Sequence, residues 1–114
     1  YRSHPDRFIK HLKSFTEVPF IFGHAGGRPS TIDSVERICN EFSNVFVDIA
    51  GDYYNNGLIG ALTDRIGVGK DLYASDVNWM DPRCNMAPVL GSDLKADDLL
   101  KILRMNALKV FNKA

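Results

Sequence analysis

Two residues in this chain have the type and the position to do chemistry. His24 follows the apolar run Pro19-Phe20-Ile21-Phe22-Gly23, and Asp76 follows Leu72-Tyr73-Ala74-Ser75. The two stand 52 positions apart, which leaves room for two successive strand-helix units. An imidazole and a carboxylate at the ends of two parallel strands can converge on one ion or one water. A divalent ion such as zinc suits both donors, and an open coordination position would let it activate water. The same two residue types at strand ends also serve as plain hydrogen-bond anchors for loops. Asp48, at the exit of Val45-Phe46-Val47, reads as a helix cap or loop anchor.

The elements that must position these residues are legible as alternating apolar runs and helical stripes. Phe20-Ile21-Phe22 is continuously apolar, so it reads as a strand buried on both faces. Gly26 and Gly27 permit backbone angles closed to other residues, and Ser30-Thr31-Ile32-Asp33 resembles a capping box. Ile32, Val35, Ile38, Cys39 and Phe42 then form one stripe of a helix that Ser43-Asn44 ends. Val45 to Gly51 is the next strand, and Leu58, Ile59, Leu62 and Ile66 mark the next helix, ended by Gly67 and Gly69. Leu72 to Ser75 is a third short strand. Asn78 to Gly91 carries Pro82 and Pro88 without a clean period and reads as a long loop. A last helix from about Ala96 to Phe111 is expected to bury Leu99, Leu100, Ile102, Leu103, Ala107, Leu108 and Phe111. At the other end, Phe8, Leu12 and Phe15 recur at helical spacing after Pro5; His11 lies among charged neighbours on the solvated side, and His4 before Pro5 belongs to a loop or cap.

Helix and strand alternate throughout, which predicts a parallel sheet with right-handed crossovers in an α/β fold. Parallel strands present the same end to solvent, so His24, Asp48 and Asp76 are expected on one face. No linker or domain boundary interrupts residues 1–114, and the chain begins with Tyr1 in a helical pattern, as if it were a piece of something larger.

Composition narrows the partners. Lys plus Arg and Asp plus Glu number 14 each, so net charge is zero and no basic track offers itself to nucleic acid or an anionic membrane. A small-molecule partner is the expectation. With 45% hydrophobic residues the chain can support a packed core, yet no run is long enough to span a bilayer and no signal-peptide pattern is present. Cys39 and Cys84 are far apart, with no zinc-knuckle or redox spacing, so a reducing, cytoplasmic setting is expected.

Four words taken together resemble the last third of an amidohydrolase-related metal-dependent hydrolase: Pro19 to Gly27; Asn44-Val45-Phe46-Val47-Asp48; Tyr73-Ala74-Ser75-Asp76-Val77-Asn78-Trp79; and Asn106-Ala107-Leu108-Lys109-Val110-Phe111. The resemblance spans nearly the whole chain, in the family's order. It implies the C-terminal part of a (β/α)8 TIM barrel, with the strands here as the sixth, seventh and eighth. It implies further that Asp76 ligates a divalent metal, zinc first, and handles the proton of attacking water. His24 would bind a second metal or act as acid, base or substrate-activating group. A His-x-His pair on the first strand and a histidine on the fifth complete the family's metal site, and neither is among these residues. Asn78 departs from the proline many relatives carry after the Ser-Asp pair, which bears on loop shape and substrate choice.

That division of labour serves C–N or C–O hydrolysis and, with small changes, nonoxidative decarboxylation of aromatic or unsaturated acids. Arg28 and Trp79 lie just beyond the two matched words and are candidate contacts for an aromatic or carboxylate substrate. A competing reading of another class is a phosphate- or nucleotide-binding module, in which the turn after the first strand and a helix N-terminus hold the anion. Against it, His24-Ala25-Gly26-Gly27 lacks the G-x-G-x-x-G order. A third is a piece inactive alone, because unpaired sheet edges and an open barrel interior favour association, including homo-oligomers.

Overall fold

The computed structural model describes residues 2–27, 29–51, 55 and 57–111. Three strands form one sheet in the order β1-β2-β3, with β1 Phe20–Phe22, β2 Val45–Asp48 and β3 Asp71–Leu72. Both pairings are parallel: Phe22 lies beside Val47, and Asp48 beside Leu72. The connections are helical, α2 Ile32–Glu41 between β1 and β2, and α3 Leu58–Ile66 between β2 and β3. The expected alternation is therefore present.

Side-chain alternation along the strands divides the core. Phe22, Val45 and Val47 point to one face and pack with Leu12 of α1 (Ile9–Ser14), Val35, Ile38 and Cys39 of α2, and Leu62 and Ile66 of α3. Phe46 and Leu72 point the other way, against Val110 and Ala107 of α6 (Asn106–Phe111). Ile21 shares that second face on an edge strand and is 36% exposed, so β1 is not buried on both faces. Burial raises the Cys39 thiol to about 11, which keeps it a neutral core group, and Cys84 is an exposed free thiol.

Four elements differ from the reading of the sequence. The stretch read as a loop from Asn78 to Gly91 contains α4, Pro82–Leu90. Asp81 caps it, its Oδ1 accepting from the Arg83 N–H at 2.9 Å, and Pro82 occupies the first turn where its missing N–H costs nothing. Pro88 falls near the helix end, and Asn85 and Val89 form a buried i, i+4 pair too sparse to read as a stripe. The third strand stops at Leu72 because the Tyr73 N–H donates to the Ile102 carbonyl at 3.0 Å, out of the ladder. The last helix is interrupted by a π turn over Lys101–Met105 between α5 (Ala96–Leu100) and α6. That wider turn rotates the apolar face, so Ile102, Asn106 and Val110 are buried while Leu100 and Phe111 are exposed. The capping box before α2 does not form either: a 3₁₀ turn, Pro29–Thr31, leads into the helix, and Thr31 makes no side-chain cap bond to it.

The first segment splits into a 3₁₀ turn, Pro5–Phe8, and α1, with the His4 side chain accepting from the Asp6 N–H at 3.4 Å as the expected cap. Phe15 is exposed beyond the end of α1. Arg37 pairs with Asp6 at 2.7 Å and Arg65 with Asp33 at 2.9 Å, tying α2 to its neighbours. Among the described residues no helix is long and apolar enough to cross a membrane.

Candidate functional site

The exits of β1 and β3 meet. His24 Nε2 lies 3.3 Å from Asp76 Oδ1 and 3.2 Å from Oδ2, so two side chains 52 positions apart share one polar spot at the carboxyl end of the sheet. His24 is 42% exposed and Asp76 28%, open enough for a small molecule to reach both.

Neighbouring groups hold the pair in place on a strained backbone. His24 and Ala25 adopt left-handed backbone (φ 55° and 49°), as do Asp76 (φ 53°) and Asn78 (φ 81°). Such angles cost about 1 to 3 kcal/mol at a non-glycine residue, and they persist only where neighbours dictate them. Of the two glycines read as the flexible pair, Gly27 takes a positive φ, and the other left-handed positions of that turn are His24 and Ala25 themselves. The neighbours that dictate the turn are visible. Asp48 Oδ1 accepts from the His24 N–H at 2.9 Å and from the Ala50 N–H at 3.2 Å. Gly51, buried at φ 112°, lies against the imidazole so closely that a Cβ there would sit 3.0 Å from His24 Nδ1. Asp48 is thus the loop anchor expected of it.

On the β3 side, the Asp76 carbonyl accepts from the N–H groups of Trp79 and Met80, each at 2.9 Å, closing a turn. Helix α4 braces this exit: Asn85 Nδ2 donates to the Ser75 carbonyl at 3.1 Å, and the Tyr73 hydroxyl donates to the Pro82 carbonyl at 3.1 Å. The sequence reading does not include Asn85 and takes Gly51 only as the end of the second strand. The pair Asp81-Pro82, a helix-start signal, could have revealed α4 and with it Asn85.

A cavity of about 260 Å³ opens beside His24, walled by Ile49, Leu58, Ile59 and Pro88 with Asn85 at its side. For scale, an engineered apolar cavity of about 150 Å³ admits benzene. Trp79 is 90% exposed on the turn after Asp76 and contributes nothing to that cavity. Arg28 lies outside the described residues.

The donor chemistry fits a divalent ion in kind, since imidazole nitrogen and carboxylate oxygen are both zinc ligands. Among the described residues no third His, Cys, Asp or Glu joins them. The pair therefore supplies two of the three protein ligands usual for a catalytic zinc.

No family model matches the chain. No curated protein matches it. Solved structures do. The 2,6-dihydroxybenzoate decarboxylase from Rhizobium is similar over 90% of this chain and 37% of its own, with TM-score 0.71 and 17% identity. The 5-carboxyvanillate decarboxylase from Sphingomonas paucimobilis is similar over 90% and 36%, with TM-score 0.69 and 12% identity. Amidohydrolase 2 from Bifidobacterium longum subsp. infantis is similar over 90% and 43%, with TM-score 0.71 and 19% identity. The chain thus spans less than half the length of these proteins. At these identities the likeness shows the fold alone: the three parallel strands and their helices form part of a TIM barrel.

Proposed function

We propose that this chain is the C-terminal part of a metal-dependent hydrolase of the amidohydrolase-related family, with His24 and Asp76 at its site and β1, β2 and β3 as the sixth to eighth barrel strands. The observation that carries the reading is the 3.2 Å approach of His24 Nε2 to Asp76 Oδ2 across 52 residues of chain. Asp76 and His24 would hold a divalent ion, zinc first, together with ligands from the rest of the barrel. When bound, that ion supplies Lewis acidity and a lowered pKa for water.

The chain's own residues account for the proton traffic. The Asp76 carboxylate accepts the proton of the attacking water and hands it to His24 Nε2, 3.2 Å away, and the imidazole then donates it to the leaving nitrogen or oxygen. The cavity beside His24 would exclude water from the apolar part of a small substrate. Trp79, exposed beside Asp76, and Arg28 remain proposed substrate contacts.

Nonoxidative decarboxylation is the second reading, favoured because two of the proteins that share the fold are decarboxylases of aromatic acids by name. There a C–C bond breaks, carbon dioxide leaves, and the proton held between His24 and Asp76 goes to the ring carbon. A single assay separates the two readings and tests both. The intact protein, loaded with zinc, is given a panel of small amides and esters and a panel of aromatic acids. Release of amine or alcohol supports hydrolysis, and release of carbon dioxide supports the second reading. Turnover that survives complete removal of divalent ions contradicts both.

A further inference from the structure

We propose that Asp48 is a positioning residue that sets the left-handed backbone of His24 and so aims the imidazole at Asp76; the catalytic consequence rests on the role given to His24 above. A single oxygen, Asp48 Oδ1, accepts from two backbone N–H groups, His24 at 2.9 Å and Ala50 at 3.2 Å. It thereby joins the loops that leave two neighbouring strands.

Without that acceptor the His24 N–H loses its partner while the residue stays at φ 55°, an angle an L-residue adopts only under constraint. Gly51 is the other side of the same vise. Its missing side chain lets the backbone of the β2 exit close on the imidazole edge, and Asp48 holds that exit through Ala50. Among the described residues Asp48 forms no ion-binding group with His24 and Asp76, and its Oδ1 is engaged by two backbone N–H groups.

An acceptor role needs an oxygen and does not need a full charge, which makes the conservative variant decisive. In the intact protein, Asp48→Ala is expected to shift the His24 amide resonance and speed its hydrogen exchange at least about tenfold. It should also lower kcat about 10- to 100-fold with a smaller change in KM, the size of loss that follows misplacement of a reacting group. Asp48→Asn keeps Oδ1 and should recover most of both. An unmoved His24 amide in folded Asp48→Ala overturns the proposal, as does an Asn variant as inactive as the Ala variant, since that would assign the charge itself a role. Should Asp48→Ala fail to fold, Asp48→Asn decides: a wild-type His24 amide and near-normal turnover support positioning, and loss of either overturns it. Wild-type turnover in His24→Ala would defeat the functional reading, while the amide signal would still decide the contact.

Discussion

Asp71 is the residue whose chemistry most constrains the molecule away from the site. It is fully buried at the start of β3, facing Thr63 of α3, and its Oδ1 is buried with no hydrogen-bond partner among the described residues. The Thr63 hydroxyl has one proton and two acceptors at 2.8 Å, the Ile59 carbonyl and Asp71 Oδ2. A proton on Asp71 resolves the conflict, because the carboxyl then donates to Thr63 and Thr63 donates to Ile59. Burial accordingly pushes the Asp71 carboxyl from 3.8 up to about 7, with the Thr63 hydrogen bond opposing. The neighbouring Lys70 directs its Nζ to the carbonyls of Phe42 and Ser43, at 3.0 and 2.8 Å. The sign follows: the unfolded chain releases this proton near 3.8 and the folded one only near 7, so stability is greatest below that window and falls as pH rises through it. Urea unfolding between pH 4 and pH 7.5 should show wild type losing stability relative to Asp71→Asn, and parallel pH profiles for the two proteins would refute the assignment.

At the same scale, the convergence of His24 and Asp76 was legible because both end apolar runs in an alternating chain, and parallel strands must expose such ends together. The strained angle at His24 was not, since Gly26 and Gly27 offered a cheaper place for the turn. The long-range bond to Asp48, 24 residues away, and the packing of Gly51 on the imidazole place the angle on the histidine.

Among the elements, α6 shows how a family-like word can be structural. Asn106 is buried, and its Nδ2 donates to the carbonyls of Val68 and Asp71, both at 2.7 Å, pinning the last helix to the entry of β3. Asn106→Ala leaves two buried carbonyls without that donor and should cost about 2 to 4 kcal/mol in urea unfolding, while the His24 and Asp76 resonances stay in place. A loss below about 0.5 kcal/mol would show that water replaces the amide. Elements with dense periodicity, α2 and α3, were legible to within a residue or so. Helix α4 was hidden by Pro88 and by having only Asn85 and Val89 buried, and the length of β3 was set by Tyr73 bonding to Ile102, a tertiary contact with no local signature.

For the whole molecule, three parallel strands with α1, α2 and α3 on one face and α6 on the other, and a polar pair at the carboxyl end, form part of a TIM barrel. Of the pair, His24 lines the cavity of about 260 Å³ while Asp76 approaches its Nε2 at 3.2 Å, and in the proposed function the remaining ligands come from strands beyond these residues. Asp76→Asn is the variant on which this account stands, because it preserves size and removes both the negative ligand and the proton acceptor. Measured in the intact protein at saturating zinc on the substrate found active in the panel, turnover should fall at least about a hundredfold. Turnover within about twofold of wild type would show that Asp76 only braces its turn, and would contradict the site.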